Sequence, residues 1–248
     1  MNKHFNAMAK NLKKLSHRHG FSKLFNDFTT MVICSYHRVN IQSRLQSTDE
    51  ANENRYFDSI AGYKDDELLI FSQALADAMV SIYDTPYSDP FGEFFMEYVS
   101  NGQNGQFFTP EPVCEMMTLI NGEKGSVIDK RVLDPACGSG RTLLSFAKHN
   151  PYNHFYGADV SELCAKMTTI NMFFNGMKGE VAWMDSLSMD WYGGWSINQD
   201  GLGILPIDKE DSALWQQPPE IIQPELEKAE LPSESGNDQS AAPQLTLF

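Results

Sequence analysis

Three aspartates, Asp134, Asp159 and Asp185, each close a short run that is mainly apolar: Arg131-Val132-Leu133, His154 to Ala158 and Glu180 to Met184. Runs of that length and type predict buried strands. Carboxylates at the ends of neighbouring strands suit a nucleoside, because they accept from ribose hydroxyls, an exocyclic amine or a cationic group. Asp159 follows Asp134 by 25 positions, close to the offset of roughly 20 at which an acid takes a ribose hydroxyl pair. After Asp134 the chain reads Pro135-Ala136-Cys137-Gly138-Ser139-Gly140. Gly138 and Gly140 lack the Cβ atoms that would keep a ligand off the backbone. The turn has neither the G-x-G-x-x-G spacing of a dinucleotide fold nor a Walker lysine.

Stepping outward along the chain, the turn opens a predicted helix, Arg141 to Lys148, with Leu143, Leu144 and Ala147 at helical spacing and Ser139 placed to cap it. Ser161 is placed to cap the next helix, which ends at Asn175-Gly176. The pattern is strand–helix–strand–helix–strand, parallel by the crossover rule. Upstream, residues 1–45 read as two helical segments with stripes through Phe5, Met8, Leu12, Leu15 and then Phe21, Leu24, Phe25, Phe28, Met31. Residues 46–56 are polar and read as a loop, Glu67 to Ile82 as an amphipathic helix, and Phe91 to Val99 as a short one. Thr109 and Pro110 read as N-cap and first position of a helix that ends at Asn121-Gly122. Past Ser186 the alternation fails: Trp191-Tyr192-Gly193-Gly194-Trp195 is aromatic and glycine-rich, and Gly203 to Ile207 is one further short strand.

Asp134 to Gly140, Asp-Pro-Ala-Cys-Gly-Ser-Gly, resembles the S-adenosylmethionine motif of the adenine-N6 DNA methyltransferases, and is most similar to the methylation subunits of type I restriction-modification systems. Gly105-Gln106-Phe107-Phe108-Thr109-Pro110 resembles their second hallmark, which precedes the sheet, and Asp89 to Tyr98 also fits. The likeness runs over roughly 86–187. It implies an α/β fold: a truncated Rossmann-like methyltransferase sheet behind an N-terminal helical region. It implies S-adenosylmethionine as cofactor and DNA as partner. Asp134 would sit near the methionine ammonium, Asp159 and the adjoining Val160 at the ribose, Asp185 with Ser186 at the adenine amine. Pro135, Gly138 and Gly140 would line the turn, and Phe107, Thr109 and Pro110 would cover the methionine end. The implied organisation is a helical region over 1–100, a cofactor-binding domain over 101–207 and an acidic, disordered tail over 208–248.

At 248 residues and 42% apolar side chains the chain supports a real core. No run of 18 apolar residues occurs, so no membrane span is expected. The four cysteines show no C-x-x-C pair and read as reduced thiols of a cytoplasmic protein, with no metal site. The net charge of −14 is unlike that of a nucleic-acid binder, but residues 1–45 carry eight Lys and Arg against Asp27 alone. Such an arm either contacts phosphates or forms a solvated helical face.

Adenine-N6 methyltransferases carry Asn or Asp, Pro-Pro and an aromatic at the end of the fourth strand, where the target amine is held. Here that place reads Ile204-Leu205-Pro206-Ile207-Asp208, and the chain's Pro-Pro pair, Pro218-Pro219, stands between Gln217 and Glu220 in tail-like sequence. No catalytic residue is assigned. Two readings stand: a DNA adenine-N6 methyltransferase whose acceptor site is built differently or completed by a partner subunit, or a catalytically silent module that binds the cofactor and serves as an interaction platform. Three or four strands also predict an exposed sheet edge or apolar patch, hence self-association or cover from the N-terminal helices.

Gln244-Leu245-Thr246-Leu247-Phe248 follows a polar stretch from Ser233 to Pro243 and resembles the pentapeptide with which bacterial proteins dock on the sliding clamp. Leu245, Leu247 and Phe248 are apolar anchors and Gln244 a directed amide, on a flexible tether. A peptide spanning 238–248 is expected to bind purified clamp, and the Leu247→Ala/Phe248→Ala peptide to lose that binding, by fluorescence anisotropy.

Overall fold

The computed structural model describes residues 3–37, 49–100, 108–122, 125–199, 201 and 203–215. Eight α-helices and five strands lie in these segments. The helical lead-in comprises α1 (Lys3–His19), α2 (Phe21–Ser35), α3 (Glu50–Ile60), α4 (Asp65–Asp84) and the short α5 (Pro90–Phe94), which runs into a π-helical turn, Phe95–Val99. The stripes behave as their spacing requires: Phe5, Met8, Leu12 and Leu15 of α1 and Leu24, Phe25 and Phe28 of α2 are buried. The polar stretch read as a loop over 46–56 contains the start of α3. Asp49 caps it, accepting from Asn52 N at 3.0 Å, and Asn52 donates from its side chain to Cys34 O. A local cap outweighed poor apolar periodicity there.

Helix α6 (Glu111–Asn121) leads to β1 (Arg131–Asp134), α7 (Arg141–His149), β2 (His154–Asp159), α8 (Glu162–Phe174) and β3 (Lys178–Asp185). Strands β1, β2 and β3 are parallel neighbours, with Asp134 beside Gly157 and Asp159 beside Trp183. The chain then doubles back. β4 (Asp190–Ile197) runs antiparallel to β3, and β5 (Ile204–Pro206) antiparallel to β4. The glycine-rich aromatic stretch is therefore a strand. Gly194 is needed because a Cβ there would meet the Trp191 ring at 2.7 Å. Strand order is β1-β2-β3-β4-β5, so among the described residues no strand pairs with the second edge of β1.

The helices cover one face of the sheet. Val132, Phe155, Val181, Trp195, Ile197 and Ile204 share one core with α1, α2, α7 and α8, so the helical lead-in and the sheet bury each other. The opposite face, Ala158, Ala182 and Met184, is covered by Trp191, Leu214 and Trp215. Ser212 Oγ and Ala213 N both donate to Glu180 Oε2 at 2.9 Å, and Arg131 donates to Ala213 O. Residues 208–215, acidic in composition and read as tail, are thus packed on the sheet. Residues 216–248, with the Pro-Pro pair and the clamp-like pentapeptide, lie outside the described segments. On the other side α6 leaves Val113, Met116, Leu119 and Ile120 exposed. No helix among the described residues is long and apolar enough to cross a membrane.

Phe28 is fully buried between the rings of Phe71 and Phe91 at 5.7 and 6.0 Å. Phe28→Ala should lower unfolding free energy by about 3–5 kcal/mol, read as a shift of the urea midpoint at constant slope.

Candidate functional site

The turn after β1 is held from below. Gly138 and Gly140 have φ of 57° and 88°, left-handed values that favour glycine. Cys137 N donates to Ala158 O at 2.9 Å and Gly138 N to Asp159 Oδ2 at 2.9 Å, which fastens the turn to the end of β2. Thr168 of α8 donates to Gly138 O at 2.9 Å. A Cβ on Gly138 would stand 2.8 Å from the Phe108 ring, so that ring lies directly on the glycine. Cys137 is buried, and burial pushes its thiol far up, which keeps it protonated and removes it as a nucleophile.

Ser139 does not cap α7. Gly140 takes the cap position, and the Ser139 hydroxyl instead donates to the buried carboxylate of Asp89. Asp89 also accepts from Gly92 N, Arg141 Nε and Asn171 Nδ2, each at 2.7 Å. Asn171 donates in addition to Ser139 O at 2.9 Å. Burial pushes the Asp89 carboxyl up, against the downward pull of the Arg141 guanidinium and the Ser139 and Gly92 donors. Gly92 is required, because a Cβ there would overlap Asp89 Oδ2 and Ser139 Oγ. Local sequence pattern alone assigns Asp89, Arg141 and Asn171 no role in the site. The Asp89-Pro90 pair before an aromatic run is a cap-and-first-position signal, and Asp89 is the N-cap of α5.

The three strand-end acids lie on one edge, as their spacing requires, and all three accept from the backbone. Asp134 is buried, accepts from Ala136 N at 3.1 Å and from the Thr142 hydroxyl, and is pushed up by desolvation. Asp159 accepts from Gly138 N and Ser161 N and is likewise pushed up by desolvation. Asp185 Oδ1 accepts from Leu187 N and Ser188 N at 2.8 and 3.2 Å, which holds its carboxyl below the usual range and shapes the β3–β4 hairpin. Ser186 donates to Pro135 O at 2.7 Å and ties that hairpin to the turn. Val160 is 62% exposed, and its carbonyl accepts from Trp183 Nε1. Phe107 lies outside the described residues. Thr109 is not the cap of α6: Pro110 stands there and Glu111 begins the helix.

A cavity of about 60 Å³ lies at the turn, bordered by Phe108, Thr109, Asp134, Gly138, Arg141 and Thr142. Beyond Arg141 lies a cleft of about 250 Å³ that holds Asp89, Glu93, Glu111, Glu115 and Lys148. A third, of about 420 Å³, separates α2 and α8 from β4. Of the basic arm, Arg18 pairs with Glu67 at 2.8 Å and Lys23 with Asp27.

Residues 88–201 match the model of the N-6 DNA methylase family. The type I restriction enzyme MjaVII methylase subunit of Methanocaldococcus jannaschii is 31% identical over 84 residues, which are 32% of this chain and 14% of that protein. The match thus spans about a seventh of the relative's length. Among solved structures, the chain is similar to a putative class I S-adenosylmethionine-dependent methyltransferase from Listeria monocytogenes, at 14% identity and a TM-score of 0.40, covering 75% of this chain and 55% of that one. It is also similar to the type I restriction-modification methyltransferase subunit of Streptococcus thermophilus, at 18% identity and 0.34, covering 70% and 36%. Over residues 88–201 the chain is thus similar to the adenine-N6 methyltransferase family. The cofactor of that family is S-adenosylmethionine, and the turn fits its amino-acid end: a buried carboxylate, Asp134, that makes no ion pair with any described residue stands beside backbone stripped of Cβ atoms.

Asp134→Asn should stabilise the ligand-free protein at neutral pH, because it removes a buried charge and keeps the shape. Desolvation raises the folded-state value of Asp134, so its ionised form costs stability at high pH and ceases to do so as pH falls through that value toward the unfolded one. The gap in melting temperature between variant and wild type should therefore shrink as pH is lowered toward the ordinary carboxylate range, in calorimetric scans.

Proposed function

We propose that the chain binds S-adenosylmethionine at the β1–α7 turn and serves adenine-N6 methylation of DNA, with the groups that hold the target base supplied by another subunit. The observation that carries this is the turn itself: a buried acid, two left-handed glycines and Phe108 on Gly138, within a segment that matches the family. When bound, the cofactor supplies an electrophilic methyl on sulfur. The chain's own groups bind and orient. Asp134 faces the ammonium, where a carboxylate–ammonium bond is charge-assisted. Asp159, already fixed by Gly138 N and Ser161 N, keeps lone pairs for the ribose hydroxyls. Asp185 and Ser186 stand at the adenine amine, and Phe107, Thr109 and Pro110 at the methionine end. The clamp-like peptide Gln244–Phe248 would hold the protein near replicating DNA by effective concentration, offsetting an acidic body.

The second reading is a silent cofactor-binding module. It is favoured by the absence of an acceptor–Pro-Pro–aromatic set at 204–208 and by the unpaired edge of β1 among the described residues. Methyl transfer from labelled cofactor to DNA, with and without candidate partner subunits, separates the two.

Binding of S-adenosylhomocysteine is expected by calorimetry, and Asp159→Ala should weaken it by about 1.5–3 kcal/mol, the worth of a charged hydrogen-bond partner. A folded wild type that binds neither this product nor the cofactor refutes the proposal.

A further inference from the structure

We infer that Arg141 reads the carboxylate of the cofactor's amino-acid end, so that Arg141 and Asp134 together recognise an α-amino-acid zwitterion. The inference rests on the cofactor reading above and assigns a contact for which that reading names no residue.

Both side chains border the same cavity of about 60 Å³. A whole drug-sized ligand needs roughly 300–1,000 Å³, so this space admits a head group while the rest lies outside. Asp134 is buried and makes no ion pair with any described residue, which suits an ammonium. Arg141 has the opposite character. Its Nε donates to Asp89 at 2.7 Å, and its two terminal nitrogens make no hydrogen bond to a described residue. Guanidinium presents a planar fork of donors that matches a carboxylate.

Three features hold that fork in place. Asp89 is itself fixed by Ser139, Gly92 and Asn171, so the Nε anchor is rigid. The guanidinium carbon lies 5.7 Å from the centre of the Phe108 ring, whose face attracts a cation and shields it from water. Arg141 is also the first residue of α7, a helix of nine residues whose positive end favours an anion. The wider cleft on the other side of Arg141 does not suit a carboxylate, because Glu93, Glu111 and Glu115 border it. Arg141 alone would pair with any anion, and Asp134 alone with any cation. Together they select a ligand that carries both charges on one carbon.

The test is calorimetric titration of the full chain with S-adenosylmethionine and with its decarboxylated analogue, which keeps the sulfonium, amine and adenosine. Wild type should prefer the cofactor by about tenfold or more, the equivalent of one charged hydrogen bond. Arg141→Gln should lose that preference by weakening the cofactor while leaving the analogue within about twofold. Arg141→Lys, which keeps the charge and the Asp89 pair but not the fork, should fall between. Equal weakening of both ligands by Arg141→Gln marks a purely structural role and overturns the assignment, as does a wild type without preference. If Arg141→Gln fails to fold, the Lys variant decides: a lowered ratio supports the assignment and an unchanged ratio overturns it. Binding of neither ligand by folded wild type overturns the cofactor reading and this inference with it.

Discussion

The buried carboxylate of Asp89 is the interaction on which the rest depends. It caps α5, accepts from the hydroxyl that follows Gly138, fixes the guanidinium at the start of α7 and meets Asn171 from α8. Three stretches far apart in sequence, α5, the β1–α7 turn with the start of α7, and α8, converge on two oxygen atoms. A buried charge in this position is stable only because every lone pair finds a donor, one of them cationic. Removal of any partner leaves the others facing a desolvated anion, so the network is specific as well as adhesive. The absent side chain at Gly92 belongs to the same arrangement.

Seen from this hub, the helical lead-in is not an appendage. Its helices contribute Phe5, Phe25, Phe28 and Phe91 to the same core as Val132, Phe155 and Val181. Lys166 of α8, buried, donates to Asn26 and Thr30 of α2. One face of the sheet is thereby sealed by helices, and the other, among the described residues, by Trp191 and the turns of 208–215 with Leu214 and Trp215. The turn proposed to bind the cofactor is stiffened from the helical side, and β1, which carries it, lies at the border of the sheet among the described residues.

Much of this was legible in the sequence. The three acid-terminated strands, the glycine turn and the Ser161 cap follow from local patterns, and each lies within a residue or two of its expected place. The errors have physical causes. Strand β4 was hidden because its glycines and tryptophans carry no alternation; Gly194 is there to clear the Trp191 ring and the β3 backbone. Helix α3 was hidden by polar composition, which a single cap at Asp49 overcame. The role given to Ser139 was wrong because a hydroxyl next to a glycine turn reads locally as a cap, whereas its partner lies fifty positions upstream. Arg141 was missed for the same reason: its significance comes from Asp89 and Phe108, and neither proximity is written in the spacing.

The reversal of the chain after β3 also orders events in time. The β3–β4 ribbon closes over the short loop between Asp185 and Asp190, an event of about 1–10 μs for an isolated hairpin. Pairing of β1 with β2 aligns Leu133 with Tyr156 only after α7 has formed between them, and loop entropy delays such contacts. Asp89 must wait longer, since Asn171 arrives at the end of α8. The molecule is therefore expected to assemble from its antiparallel end toward the β1–α7 turn.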